Sequence, residues 1–154
     1  MFILLADKGT LPGTDKQMLK FSDANAKLEA LYSVPELEIW LADGRKVYSL
    51  DLLSGWSCPS AKNCLSKVIE LPTGKKAIKD GPETEFRCFS ASQEVMFPGV
   101  YKRRKHNYDT LRDLHLNDII HRLNQDLPKD LGILRFHVGG DFFNSDYFFA
   151  ALNI

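Results

Sequence analysis

The C-terminal part of the sequence most constrains the fold of this chain. Apolar residues recur at helical spacing through residues 101–126, which predicts a long amphipathic helix that ends before a proline. The next stretch, "GILRFHVGGDFF", predicts a buried strand that runs into a turn at Gly139–Gly140. "NSDYFFAALNI" then begins another helix, with Asn144 or Ser145 as its N-cap. A helix, a strand, a turn and a helix in this order predict a βα unit of a parallel α/β sheet.

The rest of the chain predicts smaller elements around this unit. In "ELEIWLADGRKVYSLDLL" apolar and polar residues alternate on both sides of Asp43–Gly44, a pair typical of β-hairpin turns. Asp23 is suited to cap a short helix through "ANAKLEALYS", and "KVIELPTGKKAIKDGPETEFRCF" predicts a second β excursion. Residues 1–22 are predicted to be an irregular N-terminal segment. Because the last helix keeps its apolar pattern to Ile154, we expect residues 1–154 to be a single domain, the N-terminal part of a longer α/β domain.

Charge and hydropathy indicate neither a nucleic-acid nor a membrane partner. Lys plus Arg and Asp plus Glu number 20 each, so the formal net charge is zero. No window reaches the ~18 apolar residues of a membrane span, and the apolar run in "MFILLADKG" is too short for a signal peptide. Three cysteines, an odd number, without such a signal indicate a reducing compartment. We therefore expect a cytoplasmic protein with no membrane partner.

The three cysteines favour a metal site. Cys58 and Cys64 flank the polar loop of "SCPSAKNC", and Cys88 lies at the end of a predicted strand, before a plausible helix cap. A thiol near a helix N-terminus is favoured as thiolate, the form that binds metals. Zinc would take His106 or His137 as a fourth ligand, whereas a [4Fe–4S] cluster held by three cysteines leaves one iron open. The spacing alone is compatible with both metals.

A second candidate site follows the predicted C-terminal strand. Gly139, Gly140 and Asp141 stand at its carboxyl end, where ligands bind in parallel α/β folds. The glycines allow a ligand to approach the backbone closely, and the carboxylate can accept hydrogen bonds from an amino group or a ribose. His137 precedes them on the same strand face as a candidate base or ligand. These four residues predict a site for a small-molecule cofactor.

Several motifs together resemble a known family. "SCPSAKNC", "RCFSAS", "YKRRKHNYDTL" and "RFHVGGDFFNSDYF" are similar to the motifs of bacteriophage proteins of the gene-product-88 type. The resemblance covers roughly residues 25–154. It implies that the protein acts in the cytoplasm of an infected or lysogenic bacterial host.

The arrangement is more distantly similar to radical S-adenosylmethionine enzymes, in which three cysteines hold a [4Fe–4S] cluster and a Gly-Gly-acid turn contacts the cofactor. This resemblance implies a partial, truncated βα barrel-like parallel sheet, with the predicted hairpin near its N-terminus. It also implies that Cys58, Cys64 and Cys88 are cluster ligands. The turn at 139–141 would bind S-adenosylmethionine, in an enzyme whose substrate the sequence does not identify.

A basic run supports an alternative function. The stretch "YKRRKHN" contains four consecutive basic residues, Lys102, Arg103, Arg104 and Lys105. They either form solvated turns of the long helix or neutralise phosphates. In this alternative the protein is a non-catalytic module, in which zinc on the cysteines stabilises the fold and the basic run contacts nucleic acid. The sequence favours the iron–sulfur enzyme and leaves the binding module open.

Overall fold

The computed structural model describes residues 18–154, and the structural statements below refer to this part of the chain. Its strands are β1 (Ser22–Asp23), β2 (Lys46–Leu50), β3 (Ser66–Glu70), β4 (Lys76–Asp80) and β5 (Leu131–Phe136). Its α-helices are α1 (Ala26–Glu29), α2 (Pro35–Leu41), α3 (Phe89–Met96), α4 (Pro98–Leu111), α5 (Leu116–Asp126) and α6 (Ser145–Ala151). A 3-10 turn at Ala30–Ser33 follows α1.

A mixed three-stranded sheet with the order β1–β2–β5 organises the chain. β1 pairs with β2 in the antiparallel sense, and β5 pairs with β2 in the parallel sense, with Leu50 opposite Phe136. The parallel pair and α6 confirm the predicted α/β class and its βα unit. The strands of residues 18–154 do not close into a barrel, so the barrel-like architecture stays a prediction.

The second β excursion is confirmed as an antiparallel hairpin of β3 and β4. Gly74 turns between the two strands with φ 77°, a conformation that favours glycine. On one face of the hairpin, Val68 packs against Leu53, Ala91 and Tyr101 in a small core cluster. The hairpin therefore rests on α3 and on the start of α4.

The hairpin predicted across Asp43–Gly44 is wrong, because its first arm is helix α2. Pro35 stands in the first turn, where its missing N–H leaves no helical bond unmade, and two glutamates there suit the helix dipole. Trp40 Nε1 donates to the carbonyl oxygen of Gly132 at 3.0 Å, which docks α2 beside β5. The first arm therefore packs as a helix against the edge of the sheet.

The single helix predicted over 101–126 is also wrong, because it is two helices, α4 and α5. α4 already begins at Pro98, and residues 112–115 separate it from α5. His115 precedes α5 in an extended conformation, with φ −91° and ψ 166°. The backbone N–H of Leu116 donates to Asp146 Oδ2 at 3.2 Å. The break turns α5 onto α6, where Ile119 is fully buried.

The main core lies where β2 meets α4, α5 and α6. Its fully buried side chains include Leu50, Leu52, Leu111, Ile119, Leu123 and Tyr147. Asn144 caps α6 as predicted, since its Oδ1 accepts from the backbone N–H of Tyr147 at 2.9 Å. Because Leu50 and Leu52 enter the core at the end of β2, the loops that follow β2 and β5 lie directly beside it.

The N-terminal predictions are tested only in part. Of the irregular segment predicted over 1–22, residues 1–17 lie outside the described part of the chain, and Ser22 belongs to β1. Asn25 caps α1 instead of Asp23, because its Oδ1 accepts from the backbone N–H groups of Lys27 and Leu28. Asp23 is instead paired with β2.

Candidate metal and cofactor site

The loops that follow the parallel strands β2 and β5 are tied together at the carboxyl edge of the sheet. Asp51 Oδ1 accepts from the backbone N–H groups of Val138 at 2.6 Å and Gly139 at 3.2 Å. In return, the N–H of Leu52 donates to the carbonyl oxygen of Gly139 at 3.0 Å. These bonds fix the predicted Gly-Gly-Asp turn against the start of the loop that carries Cys58.

Two buried serines, Ser57 beside this edge and Ser66 on β3, bond the segments that carry the cysteines. Ser57, next to Cys58, accepts at Oγ from the backbone N–H of Asp141 at 3.1 Å. Ser66 Oγ accepts from the N–H of Cys88 at 3.3 Å, and the N–H of Ser66 donates to the carbonyl oxygen of Cys64 at 2.8 Å. Both serines are fully buried. One serine therefore joins Cys58's segment to the turn, and the other joins the segments of Cys64 and Cys88.

The three thiols are free and half-buried. Burial raises the pKa of the Cys58 thiol, and the negative charges of Asp141 and Cys88 raise it further. Hydrogen bonds from Gly55 N–H, at 3.4 Å from Sγ, and from Ser57 act in the opposite direction. Cys58 therefore lies within electrostatic reach of both Cys88 and Asp141. Its raised pKa favours the thiol over the thiolate.

The side chains are not yet gathered into ligand geometry. Among residues 18–154, no three His, Cys, Asp or Glu side chains form a group that could hold a metal ion. Cys88 is the N-cap residue of α3, so it lies directly before a helix, as predicted. It does not lie at the end of a strand, because β4 already ends at Asp80. The segments of Cys64 and Cys88 meet at Ser66, on β3, and the role of the three cysteines as metal ligands stays a prediction.

Both glycines of the turn are explained by packing within the chain. A Cβ at Gly139 would overlap the Arg104 guanidinium. Gly140 has φ 86°, and a Cβ there would lie 2.6 Å from Ser57 Oγ and 2.7 Å from the carbonyl oxygen of Leu52. Close packing and a left-handed backbone therefore require glycine at these positions, whether or not a cofactor binds. Asp141, by contrast, is exposed.

His137 is half-buried against aromatic rings beside the turn, and both of its ring nitrogens are buried. Its backbone is left-handed, with φ 62°, and its ring centroid lies 4.7 Å from that of Phe142 and 5.6 Å from that of Tyr147. Burial lowers the pKa of His137 to about 4, against the opposing charges of Asp141 and Asp51. Within the described residues neither ring nitrogen has a hydrogen-bond partner. The ring is therefore neutral at pH 7, the form in which histidine binds metals.

The basic run does not form one surface. Arg104 is only 3% exposed, and its Nη1 lies 3.1 Å from Glu94 Oε1, so it is engaged inside the chain and its phosphate contact stays a prediction. Lys102 is exposed, Arg103 is half-buried, and Lys105 pairs with Asp109. For these three residues nucleic-acid contact stays a prediction.

His106, the other candidate zinc ligand, is already engaged elsewhere. Its Nε2 lies 2.7 Å from the carbonyl oxygen of Met18. The ring nitrogens of His137, the second histidine considered as a fourth ligand, make no hydrogen bond within residues 18–154, but they are buried.

The buried cluster of Ser54, Glu94 and Arg104, called here the clamp, was not expected from the sequence. Glu94 Oε1 accepts from the backbone N–H of Ser54 at 3.0 Å and from its hydroxyl at 2.8 Å, in addition to Arg104. One signal could have identified it. Arg104 follows Tyr101 by three positions and precedes Leu111 by seven, which places it on the buried face of α4.

The described residues include no helix long and apolar enough to cross a membrane.

The comparisons with known proteins identify a family. No curated protein and no solved structure matches the chain, and the likeness to radical S-adenosylmethionine enzymes therefore receives no support. A family model described as Gene product 88 matches residues 17–154, which is most of the chain. The match includes the cysteine motifs, the basic run and the Gly-Gly-Asp turn, as the resemblance of these motifs had indicated. The chain therefore belongs to the gene product 88 family.

Proposed function

We propose that this protein binds an iron–sulfur cluster through Cys58, Cys64 and Cys88 at the carboxyl edge of its sheet. The observation that carries the proposal is the pair of buried serines. Ser57 bonds the Cys58 segment to the Gly-Gly-Asp turn, and Ser66 bonds the Cys64 segment to Cys88. Because the charge of Cys88 also reaches Cys58, these bonds support a proposal in which the loop of Cys58 and Cys64 and the segment of Cys88 provide the ligands together.

We infer a cluster in preference to a single zinc ion. Zinc requires its ligand atoms within about 2.0–2.3 Å of one point. A cubane spreads its thiolates over different irons, so the sulfur atoms of its ligands lie farther apart. Cys58 and Cys64 are also carried by a stretch between β2 and β3 that has no regular structure, which leaves their side chains room to adjust.

The chain's own residues have definite roles in this proposal. Gly55 N–H donates to Cys58 Sγ, and hydrogen bonds to ligand sulfurs are one of the features that set a cluster's reduction potential. A cation beside Cys58 would reverse the pKa shift that burial imposes, because it stabilises the thiolate. A bound cluster would supply one-electron chemistry, with one iron open to a further ligand.

The turn at residues 139–141 contributes a carboxylate to the proposed site. Asp141 is exposed, and its charge reaches Cys58, so an amino group of a small molecule bound beside the thiols is within its range. S-adenosylmethionine and radical catalysis remain finer versions of this proposal. A reducing cytoplasm would keep the three thiols free for iron.

Anaerobic reconstitution with iron and sulfide tests the proposal. We expect a brown protein with broad absorption at about 400 nm and about four irons per chain. Cys58→Ser, Cys64→Ser and Cys88→Ser should each lose most of this iron, whereas Ser60→Ala, an exposed position in the same loop, should retain it. A colourless protein that retains one zinc per chain, or iron that survives all three cysteine variants, would refute the proposal.

A further inference from the structure

A cavity lies outside the thiols and the turn, on the open face of the β3–β4 hairpin. It has a volume of about 300 Å³, and its walls are mainly apolar. Trp56, Leu65, Ile69 and Pro82 supply its apolar lining. This volume is at the lower end of the range for small-molecule sites, so the cavity has room for one small ligand.

Two lysines give the mouth of this cavity its charge. Lys67 and Lys79 are directly opposite each other in the β3–β4 register, and both line the cavity. Like charges at paired positions destabilise a hairpin. Within residues 18–154 neither ammonium group has an ion-pair partner. Asp80 also lines the cavity, but its carboxylate is already paired with Arg87 at 2.6 Å. An anion between the two lysines would relieve their repulsion.

Trp56 provides an aromatic surface beside these charges. Its side chain is 44% exposed, yet it is held in place because Nε1 donates to the carbonyl oxygen of Val68 at 3.1 Å. Lys67 Nζ lies 4.8 Å from the indole centroid, so a cation is held next to the ring. A half-exposed indole that is fixed by a hydrogen bond suits contact with another planar ring.

We propose that this cavity binds a nucleoside monophosphate. The planar base would pack against Trp56 and the apolar wall, as bases do on aromatic side chains. The phosphate dianion would lie between the ammonium groups of Lys67 and Lys79, which bind phosphate as point charges. This site uses neither the thiols nor the clamp, and it does not depend on the proposed cluster.

Tryptophan fluorescence of the full chain, without added metal, tests this site. The sequence contains two tryptophans, so Trp40→Phe leaves Trp56 as the only reporter. We expect AMP to quench its fluorescence saturably, and adenosine to bind at least about tenfold more weakly because it lacks the phosphate. Calorimetric titration of the unaltered chain with AMP provides a measurement that needs no substitution.

Charge variants test the role of the lysines. The double variant Lys67→Gln/Lys79→Gln should weaken AMP binding at least about tenfold. The matched control Lys62→Gln/Lys75→Gln removes the same charge from exposed lysines that do not line the cavity, and it should bind as the unaltered chain does. The proposal would be overturned by the absence of saturable AMP binding, by equal losses in both double variants, or by binding to an oligonucleotide but not to AMP.

Discussion

The clamp and the three cysteines lie at the same end of the molecule but are built in different ways. In the clamp, the Glu94 side chain is fully buried and the Arg104 side chain is 4% exposed, with each group hydrogen-bonded to neighbouring segments. The cysteines, which we call the thiol edge, are half-buried, and their thiols are free. The difference indicates that the clamp holds the segments in place, while the thiol edge remains available for chemistry.

The strongest test of this contrast removes the cation from the clamp. Arg104→Met leaves the carboxylate of Glu94 buried without its charged partner, which costs about 3–5 kcal/mol. Urea unfolding of the metal-free chain should show this loss, whereas the control Lys102→Met, exposed on the same helix, should change the free energy of unfolding by less than about 0.5 kcal/mol. Equal small effects would show that the clamp does not hold the edge together. The double variant Arg104→Met/Glu94→Gln should recover part of the loss, because its amide oxygen can still accept from Ser54 and no charge is left buried.

The pH dependence of the free energy of unfolding tests whether the His137 ring is shielded from solvent. Its pKa is lowered to about 4, below the ~6.5 of an exposed histidine. The unfolded chain therefore takes up a proton first as the pH falls. The lowered pKa of His137 therefore makes the free energy of unfolding depend on pH. Its contribution is fully present above about pH 6.5 and is lost progressively towards pH 4, by up to about 3 kcal/mol.

His137→Asn removes this titration and suits the left-handed backbone. Between pH 6.5 and 4 the variant should lose less stability than the unaltered chain, by up to about 3 kcal/mol. His121→Asn, at an exposed position, should follow the unaltered chain. If His137→Asn did so as well, the ring would be accessible to solvent, and the His137 site would resemble the thiol edge.

A substitution in the Gly-Gly-Asp turn measures how tightly this turn packs against the loop that follows β2. Gly140→Ala places a methyl group against Ser57 Oγ and the Leu52 carbonyl at a positive φ, and we expect it to lower the free energy of unfolding by about 1–3 kcal/mol. Gly99→Ala, which adds a methyl group in open space in α4, should instead stabilise the chain by about 0.5–1 kcal/mol. Chemical denaturation of both variants provides the comparison, and a neutral Gly140→Ala would contradict the packing described.

The smallest effect on stability is expected at the thiol edge itself. Cys64→Ser exchanges a half-buried thiol that makes no side-chain hydrogen bond within the described residues. We expect the free energy of unfolding of the metal-free protein to change by less than about 1 kcal/mol. A loss of more than about 2 kcal/mol would show that the cysteine is a structural core residue like those of the clamp.

The sequence predicted local units better than the contacts between them. The βα unit of β5 and α6 has a period-two strand, a Gly-Gly turn and an Asn144 cap, all of which are local signals. Residues 35–41 could not be assigned in this way, because the alternating pattern of "ELEIWL" also fits a helix that begins with Pro35. The single helix over 101–126 was predicted because periodicity continues across the break, which depends on the distant Asp146.

For the candidate site, the sequence predicted which segments meet but not how they are joined. Placing the cysteines and the turn near one sheet edge followed from where the strands end. The bonds made by Ser57 and Ser66 could not be predicted, because each joins residues more than 20 positions apart. Helical spacing alone predicts that Arg104 is buried, but its three basic neighbours indicated a solvent-exposed basic surface instead.

The central claim is that Cys58, Cys64 and Cys88 bind one cluster together. The most direct measurement is alkylation of each thiol, quantified by mass spectrometry, before and after anaerobic reconstitution with iron and sulfide. The account predicts that all three cysteines react in the metal-free chain and that all three become protected together, in proportion to the iron bound. Iron uptake that leaves any one of the three as reactive as before would contradict it.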